Sequence, residues 1–170
     1  MDNKIYMSAE DLESHVHTII RQMMQDQWRP EYIVGLTRGG LQPANMLSQY
    51  LEIPMHSLDV SLRDNRIGPT SNGWMSEDAF GGMNILIVDD INDSGATLQW
   101  IEDDWKAGCL PKSKKWKKVF GDTTRIATIV NNEASDFQTI SYTSLEINKA
   151  DEDVWIVFPW ENWWKRKHIQ

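Results

Sequence analysis

The sequence predicts an α/β domain with a mostly parallel sheet flanked by helices, and three observations predict it. Short apolar runs alternate with stretches whose apolar residues recur at helical spacing, which implies crossover connections. Two of these runs, Tyr32–Leu36 and Ile85–Val88, lead into turns that open onto helical patterns. Ligands of open α/β sheets bind at such carboxyl ends of strands. The 170 residues are read as one domain, long enough for a proper core.

Ser8 and Asp11 resemble a capping box, with Asp where Glu or Gln is usual. Leu12, Val16, Ile19, Ile20 and Met23 follow at helical spacing, so an amphipathic helix is expected over residues 9–25. Tyr32–Leu36 reads as a short strand. Gly39 and Gly40 turn the chain, and Leu41, Ala44, Leu47 and Leu51 stripe a helix over 41–51. Pro54–Val60 reads as the next strand. Residues 62–83 hold four glycines, a proline and many polar groups. A loop of that length inside a domain is usually either functional or evidence of a wrong element assignment, and it is read as a mobile flap over the site. Strand, acidic turn and helix are expected over 84–107, then a polar, lysine-rich connection over 108–124. Strands are expected near 125–130, 140–147 and 154–158.

Composition narrows the function. Hydrophobic content of 41% and charged content of 25% fit a soluble globular protein. The longest apolar runs fall far short of a membrane span. The first residues lack the design of a secretory signal. A single cysteine, Cys109, excludes an internal disulfide and a cysteine-based zinc site. A reducing cytoplasm is the expected location. The net charge of −8 argues against nonspecific nucleic-acid binding. Five lysines surround Trp116 between Lys112 and Lys118. They are read as a solvated loop, with contact to nucleic acid or another anion as the alternative. Trp163 and Trp164 are expected to pack on the domain or on a partner subunit.

The chemistry concentrates between Ile85 and Thr97. Asp89, Asp90 and Asp93 lead into a turn of Ser94, Gly95, Ala96 and Thr97. Gly95 can take a positive φ and lets the backbone approach an anion. Ser94 and Thr97 add hydroxyl donors, and a helix N-terminus favours phosphate. Simple helix capping by Ser94 would use the same residues. Adjacent carboxylates repel, and the cost is recovered when hydroxyls or a cation bind. Both can reach one ligand only if the chain turns there, because successive residues point to opposite sides of a strand. The alternative is a pair of loop acids capping the next helix. A phosphate cradle beside acidic acceptors suits a sugar phosphate. Arg38, in the turn after the first apolar strand, offers a fork of donors to phosphate, or is a solvated arginine in an ordinary turn. Trp155 can stack on a flat heterocycle, or is a core tryptophan.

Ile85–Thr97 resembles the phosphoribosyl-pyrophosphate (PRPP) signature of the type I phosphoribosyltransferases: apolar residues, an Asp pair, then a small Ser-Gly turn. Tyr32–Gly40 resembles the strand and pyrophosphate loop of the same family. Asp153–Glu161 is similar to the C-terminal base-binding segment of the bacterial xanthine-guanine phosphoribosyltransferases. The three segments come in the family's order and frame residues 31–161. The resemblance implies the type I fold, with a small base-binding hood and a mobile flap. It implies that Asp89 and Asp90 accept hydrogen bonds from the ribose hydroxyls of PRPP. Asp93, Ser94, Gly95, Ala96 and Thr97 would hold the 5′-phosphate. Thr37, Arg38, Gly39 and Gly40 would hold the pyrophosphate, in a loop that commonly contains a cis peptide not preceding proline. Trp155 would stack on the base, and Ile156 would offer it backbone groups. Asp93 would lie near N7 of a purine as the catalytic carboxylate that takes or shares its proton, or would be purely structural in the phosphate loop. Mg²⁺ would sit mainly on PRPP, with weak ligation by Asp89 and Asp90. A homodimer or homotetramer is implied.

Some residues depart from the family. Asn132 falls where those enzymes carry the lysine that holds the purine 6-oxo group. An amide donates to a carbonyl but also accepts from an amine, so a 6-oxopurine, a 6-aminopurine or another base stays open. Ser61-Leu62 replaces the family's Ser-Tyr pair in the flap, and Ala96 stands where glycine is commoner. The leading expectation is an Mg²⁺-dependent phosphoribosyltransferase that joins a purine base to PRPP. The alternatives are a non-catalytic PRPP-binding regulatory protein on the same fold and a phosphohydrolase with Asp89 as nucleophile.

Overall fold

Ser8 begins the first helix in the way its spacing predicts. Its hydroxyl accepts the Asp11 N–H at 3.0 Å, and the Asp11 carboxylate accepts the Ser8 N–H at 2.9 Å. The helix, α1 (Ala9–Gln25), buries Leu12, Val16, Ile19, Ile20 and Met23, the five residues of the expected stripe. The computed structural model describes residues 3–60 and 72–166. Among them, no helix is long and apolar enough to cross a membrane.

In chain order the other elements are β1 (Asn3–Tyr6), ahead of α1, then β2 (Tyr32–Thr37), α2 (Leu41–Leu51), β3 (Met55–Asp59) and α3 (Gly73–Phe80). They are followed by β4 (Ile85–Asn92), α4 (Ala96–Gly108), β5 (Thr124–Asn132), β6 (Tyr142–Ile147) and β7 (Val154–Val157). The main sheet has five parallel strands in the order β3-β2-β4-β5-β6. Its strands are nearly continuous apolar runs because both faces are covered. Ile33, Leu86, Val88, Ala127 and Ile129 pack with α1 and α2. Val34, Leu36, Ile85, Ile87 and Ile126 pack with α3 and α4. The expected fold class, a mostly parallel sheet between helices, is the one observed.

Four local expectations change. Residues 73–80 form α3 rather than loop, with Met75, Ser76 and Ala79 buried and the Ser76 hydroxyl bonded to the Trp105 carbonyl. The remainder of the expected flap, and the Ser61-Leu62 pair, fall on residues 61–71, outside the described residues. The Asp89-Asp90 pair lies inside β4, not beyond its end, because pairing with β5 continues to Asn92. The lysine-rich connection contains a short 3-10 helix, Lys114–Lys118. Trp116 is buried at its centre and donates its indole N–H to the Cys109 carbonyl at 2.8 Å, while the five lysines are exposed. Finally, β1 had no sequence signal. It pairs in parallel with β7 to make a separate two-stranded hood.

At the β6 edge of the sheet, the Gln22 side chain takes the place of a strand. Its amide donates to the Thr143 carbonyl at 2.8 Å and accepts the Thr143 N–H at 3.2 Å.

Strand order creates the crevice. From β2 the chain moves outward through α2 to β3; from β4 it moves the other way through α4 to β5. The two helices therefore cover opposite faces, and the loops after β2 and β4 part above the sheet. This is a topological switch point.

Candidate active site

Pairing between β2 and β4 ends at Gly35 and Val88, yet β4 runs on to Asn92. Beyond that point one edge of β4 faces the crevice, so Asp89 and Asp90 border it together although they belong to one strand. The cavity there measures about 1380 Å³. Thr37, Arg38 and Gly39 line one side, and Asp89, Asp90 and the turn from Asp93 to Thr97 line another. The hood closes a third side with Trp155 and Val157 of β7 and with Lys4 and Tyr6 of β1. These four share a hood face because Lys4 is paired with Trp155 and Tyr6 with Val157. The three segments singled out in the sequence thus converge on one space.

The turn after β4 is built for close backbone approach. Gly95 has φ 90°, and a Cβ there would stand 2.6 Å from the Phe137 nitrogen. Ser94 is not the N-cap residue of α4, which is Gly95, but its hydroxyl accepts the Ala96 N–H at 3.3 Å. Helical bonding begins with the Gln99 N–H on the Gly95 carbonyl at 3.0 Å. Amides of the first turn precede that bond and border the cavity, as an anion site requires.

A second loop braces this turn from behind. The Asp136 N–H donates to the Ser94 carbonyl at 3.1 Å, and the Ser135 hydroxyl donates to Asn92 Oδ1 at 2.9 Å. Asn132 donates its side-chain N–H to the Asp93 carbonyl at 3.0 Å. Its Oδ1 accepts the Ala134 N–H at 3.2 Å and the Lys149 N–H at 3.0 Å. This corrects the expectation that Asn132 faces the base. It is buried behind the turn, and both lone pairs of its carbonyl are used by backbone groups.

The acids are held in place by their own strand. Asp89 accepts the Asp90 N–H at 2.9 Å, and Asp90 accepts the Ile91 N–H at 2.8 Å. Across the crevice, a Cβ on Gly39 would overlap the Asp90 carboxylate. The Thr37–Arg38 peptide is cis, in the loop where the resemblance implied one. Gly40 is buried behind this loop as the N-cap of α2. The Thr37 hydroxyl donates to Asp59 Oδ1 at 3.0 Å, and Asp59 also lines the cavity. No three His, Cys, Asp or Glu side chains converge on a metal-sized point among the described residues. The donor set of Asp89 and Asp90 suits a hard cation that keeps waters and substrate oxygens, which is the habit of Mg²⁺.

Trp155 lines the cavity and is 52% exposed, unlike a core tryptophan. The Ile156 side chain points the other way and is buried in the core. Lys149, from the β6–β7 connection, carries its ammonium 3.0 Å from Asp93 Oδ1 and 5.7 Å from the centre of the Trp155 ring. Lys4, Tyr6, Asp59 and Lys149 were not singled out in the sequence.

The phosphoribosyl transferase domain family matches residues 3–161. The chain belongs to this family. Among curated relatives, this phosphoribosyl transferase domain is 23% identical to the hypoxanthine-guanine phosphoribosyltransferase of Schizosaccharomyces pombe, over 93% of this chain and 89% of that one. It is 28% identical to the xanthine-guanine phosphoribosyltransferase of Cereibacter sphaeroides, over 79% and 70% of the two chains. Among solved structures, the xanthine-guanine-hypoxanthine phosphoribosyltransferase of Helicobacter pylori superposes with a TM-score of 0.69 at 18% identity, covering 97% of each chain. That likeness establishes the phosphoribosyltransferase fold.

Proposed function

We propose that this phosphoribosyl transferase domain transfers the 5-phosphoribosyl group of PRPP to a purine base. A nitrogen lone pair of the base forms the bond to C1′. The C1′–O bond breaks, its electron pair leaves with pyrophosphate, and a nucleoside 5′-monophosphate results. One observation carries the reading: a glycine turn at a helix start, an adjacent pair of carboxylates and an exposed tryptophan border a single cavity. The hypoxanthine-guanine and xanthine-guanine enzymes to which the chain is similar act on purines, which supports the choice of base.

In this reading the turn from Asp93 to Thr97 holds the 5′-phosphate on helix-start amides, while Asp89 and Asp90 accept the ribose hydroxyls. Thr37, Arg38, Gly39 and Gly40 form the pyrophosphate loop, with Arg38 giving a donor fork. Mg²⁺ entering with the diphosphate would meet Asp89 and Asp90, and when bound it offsets charge on the leaving group. Trp155 stacks on the base beside Ile156, and Asp93 takes the proton that the base sheds. Catalysis then rests on positioning and charge stabilisation rather than on a covalent intermediate. Exposed Trp74 and Trp163, 43% and 66% accessible, give apolar area to a homodimer or homotetramer, which sedimentation would measure.

The test is incubation with PRPP, Mg²⁺ and a panel of purine and pyrimidine bases, with nucleotide and pyrophosphate read by mass. Product with a purine supports the reading. No product with any base, together with measurable PRPP binding, would replace it with a non-catalytic PRPP-binding role.

A further inference from the structure

The lysine-rich turn after α4 is held in a fixed shape. Trp116 is buried at its centre with its indole N–H on the Cys109 carbonyl, and Val119 is buried just beyond. The Ser113 hydroxyl accepts the Lys115 N–H at 3.2 Å and starts the turn. Around this anchor Lys112, Lys114, Lys115, Lys117 and Lys118 stand exposed, and among the described residues none of them is in an ion pair. No acidic residue occurs between Asp104 and Asp122. These five are part of 17 basic side chains, which leaves twelve against 25 acidic ones in the rest of the chain. Like charges repel, so grouping five of them on a fixed turn is unfavourable until an anion meets them. The 13 residues of α4 put about 20 Å of helix between this turn and Gly95, so that anion is not the ligand of the crevice.

We propose that this turn docks an extended acidic segment of a partner protein, with carboxylates at alternate positions. A 3-10 helix turns once in three residues and rises about 2 Å with each. Lys114 is therefore in line with Lys117, and Lys115 with Lys118, each pair about 6 Å apart along the axis. Trp116 takes the third direction, into the core. Alternate side chains of an extended strand share a face at a spacing of about 6.6 Å. The two spacings match, so successive carboxylates of such a strand meet successive ammonium groups of one row. Nucleic acid is the poorer fit. The ring among the lysines is buried, so bases have no platform to stack on. A long polyanion also runs past the turn over a chain of net charge −8, whereas a short segment feels mainly the charges within a Debye length, about 8 Å in physiological salt. Docking here needs no phosphoribosyl transfer.

Fluorescence anisotropy on the full chain tests this, at low and at physiological salt. The probes are a labelled peptide of alternating Glu and Thr, a peptide of the same composition with its Glu residues in one block, and an oligothymidylate of the same length. The wild type is expected to bind the alternating peptide more tightly than the other two, and more weakly as salt rises. A variant combining Lys114→Gln, Lys115→Gln, Lys117→Gln and Lys118→Gln is expected to raise Kd by at least about tenfold, because exposed charge pairs are individually weak and four are removed. The same four positions changed to Arg keep the charge and are expected to retain binding. If the fourfold Gln variant does not fold, Lys114→Gln with Lys117→Gln, which empties one row, is measured in its place and is expected to bind more weakly than wild type. No binding by the wild type at low salt overturns the inference, as does an unchanged Kd in the Gln variant. Equal affinity for the blocked peptide removes the match of spacings and overturns it too. Tighter binding of the oligothymidylate assigns the turn to nucleic acid instead. Salt-sensitive self-association of the wild type, lost in the Gln variant by sedimentation, assigns it to a second copy of the chain; either result overturns the choice of partner.

Discussion

Gly39 and the Asp90 carboxylate are packed so closely that no side chain fits between them. The loop after β2 and the acid pair of β4 are therefore one mechanical unit. Gly39→Ala is expected to push Asp90 aside while leaving the core intact. Displacing a positioned group by about 1 Å can cost about a hundredfold in rate. Kinetics with PRPP as the varied substrate would show the loss in kcat/KM, and an unchanged value would mean that Asp90 can move without consequence.

In the proposed reaction Asp93 is assigned the proton role. Asp93→Asn keeps the size of the side chain and removes its basicity. Turnover is expected to fall by about 10²- to 10⁴-fold, the usual contribution of a positioned acid or base. PRPP affinity is expected to stay near the wild-type value, because the backbone of the turn is untouched. Calorimetry with PRPP beside single-turnover kinetics separates the two, and a fully active variant would strip Asp93 of this role.

Trp116 anchors the lysine-rich segment. It is 4% exposed and packs against Phe80 and Phe120, with ring centroids 5.5 and 6.2 Å away. Trp116→Ala is expected to cost about 3–5 kcal/mol of stability, as large aromatic truncations in cores do. Lys117→Ala, on the exposed side of the same turn, is expected to stay within about 0.5 kcal/mol. Paired urea titrations check both values.

The capping box sets a pH dependence. Hydrogen bonds from the Ser8 backbone and side chain hold the Asp11 carboxyl below its ordinary value of 3.8. A carboxyl lowered in the folded state stabilises it above the unfolded value, and that contribution disappears as pH falls through the folded one. Thermal melts of Asp11→Ala are therefore expected to differ from wild type near neutrality and to converge with it in acid below the folded value. A gap that persists at the lowest pH would assign the effect to something other than ionisation.

Sequence periodicity was sufficient for α1 and α2, where each helix buries a single stripe against one face of the sheet. It failed for β1 and α3. Asn3–Tyr6 has four residues and gains its partner, Val154–Val157, from the far end of the chain. Gly73–Phe80 is too short and too polar to stand out until it packs on α4. The turn from Asp93 to Thr97 was legible as a turn opening onto a helix because a contiguous run of residues builds it. Lys149 was not, because nothing near it in sequence tells that Asn132 draws it toward Asp93. Asn132 itself was mistaken for a base contact, since alignment gives a position along a strand but not the use of an amide.

Gln22 and Thr143 have a bearing on solution behaviour. An edge strand normally invites a neighbour to continue its ladder, and proteins blunt such edges against aggregation. Here a single side chain plays that neighbour at Thr143, satisfying both backbone groups. An incoming chain cannot zip past this residue without first prising Gln22 away. Growth of the sheet sideways, whether into a continuous intersubunit sheet or a fibril, is opposed at this point of β6. Copies of this molecule that approach this edge at Thr143 meet side chains rather than open backbone.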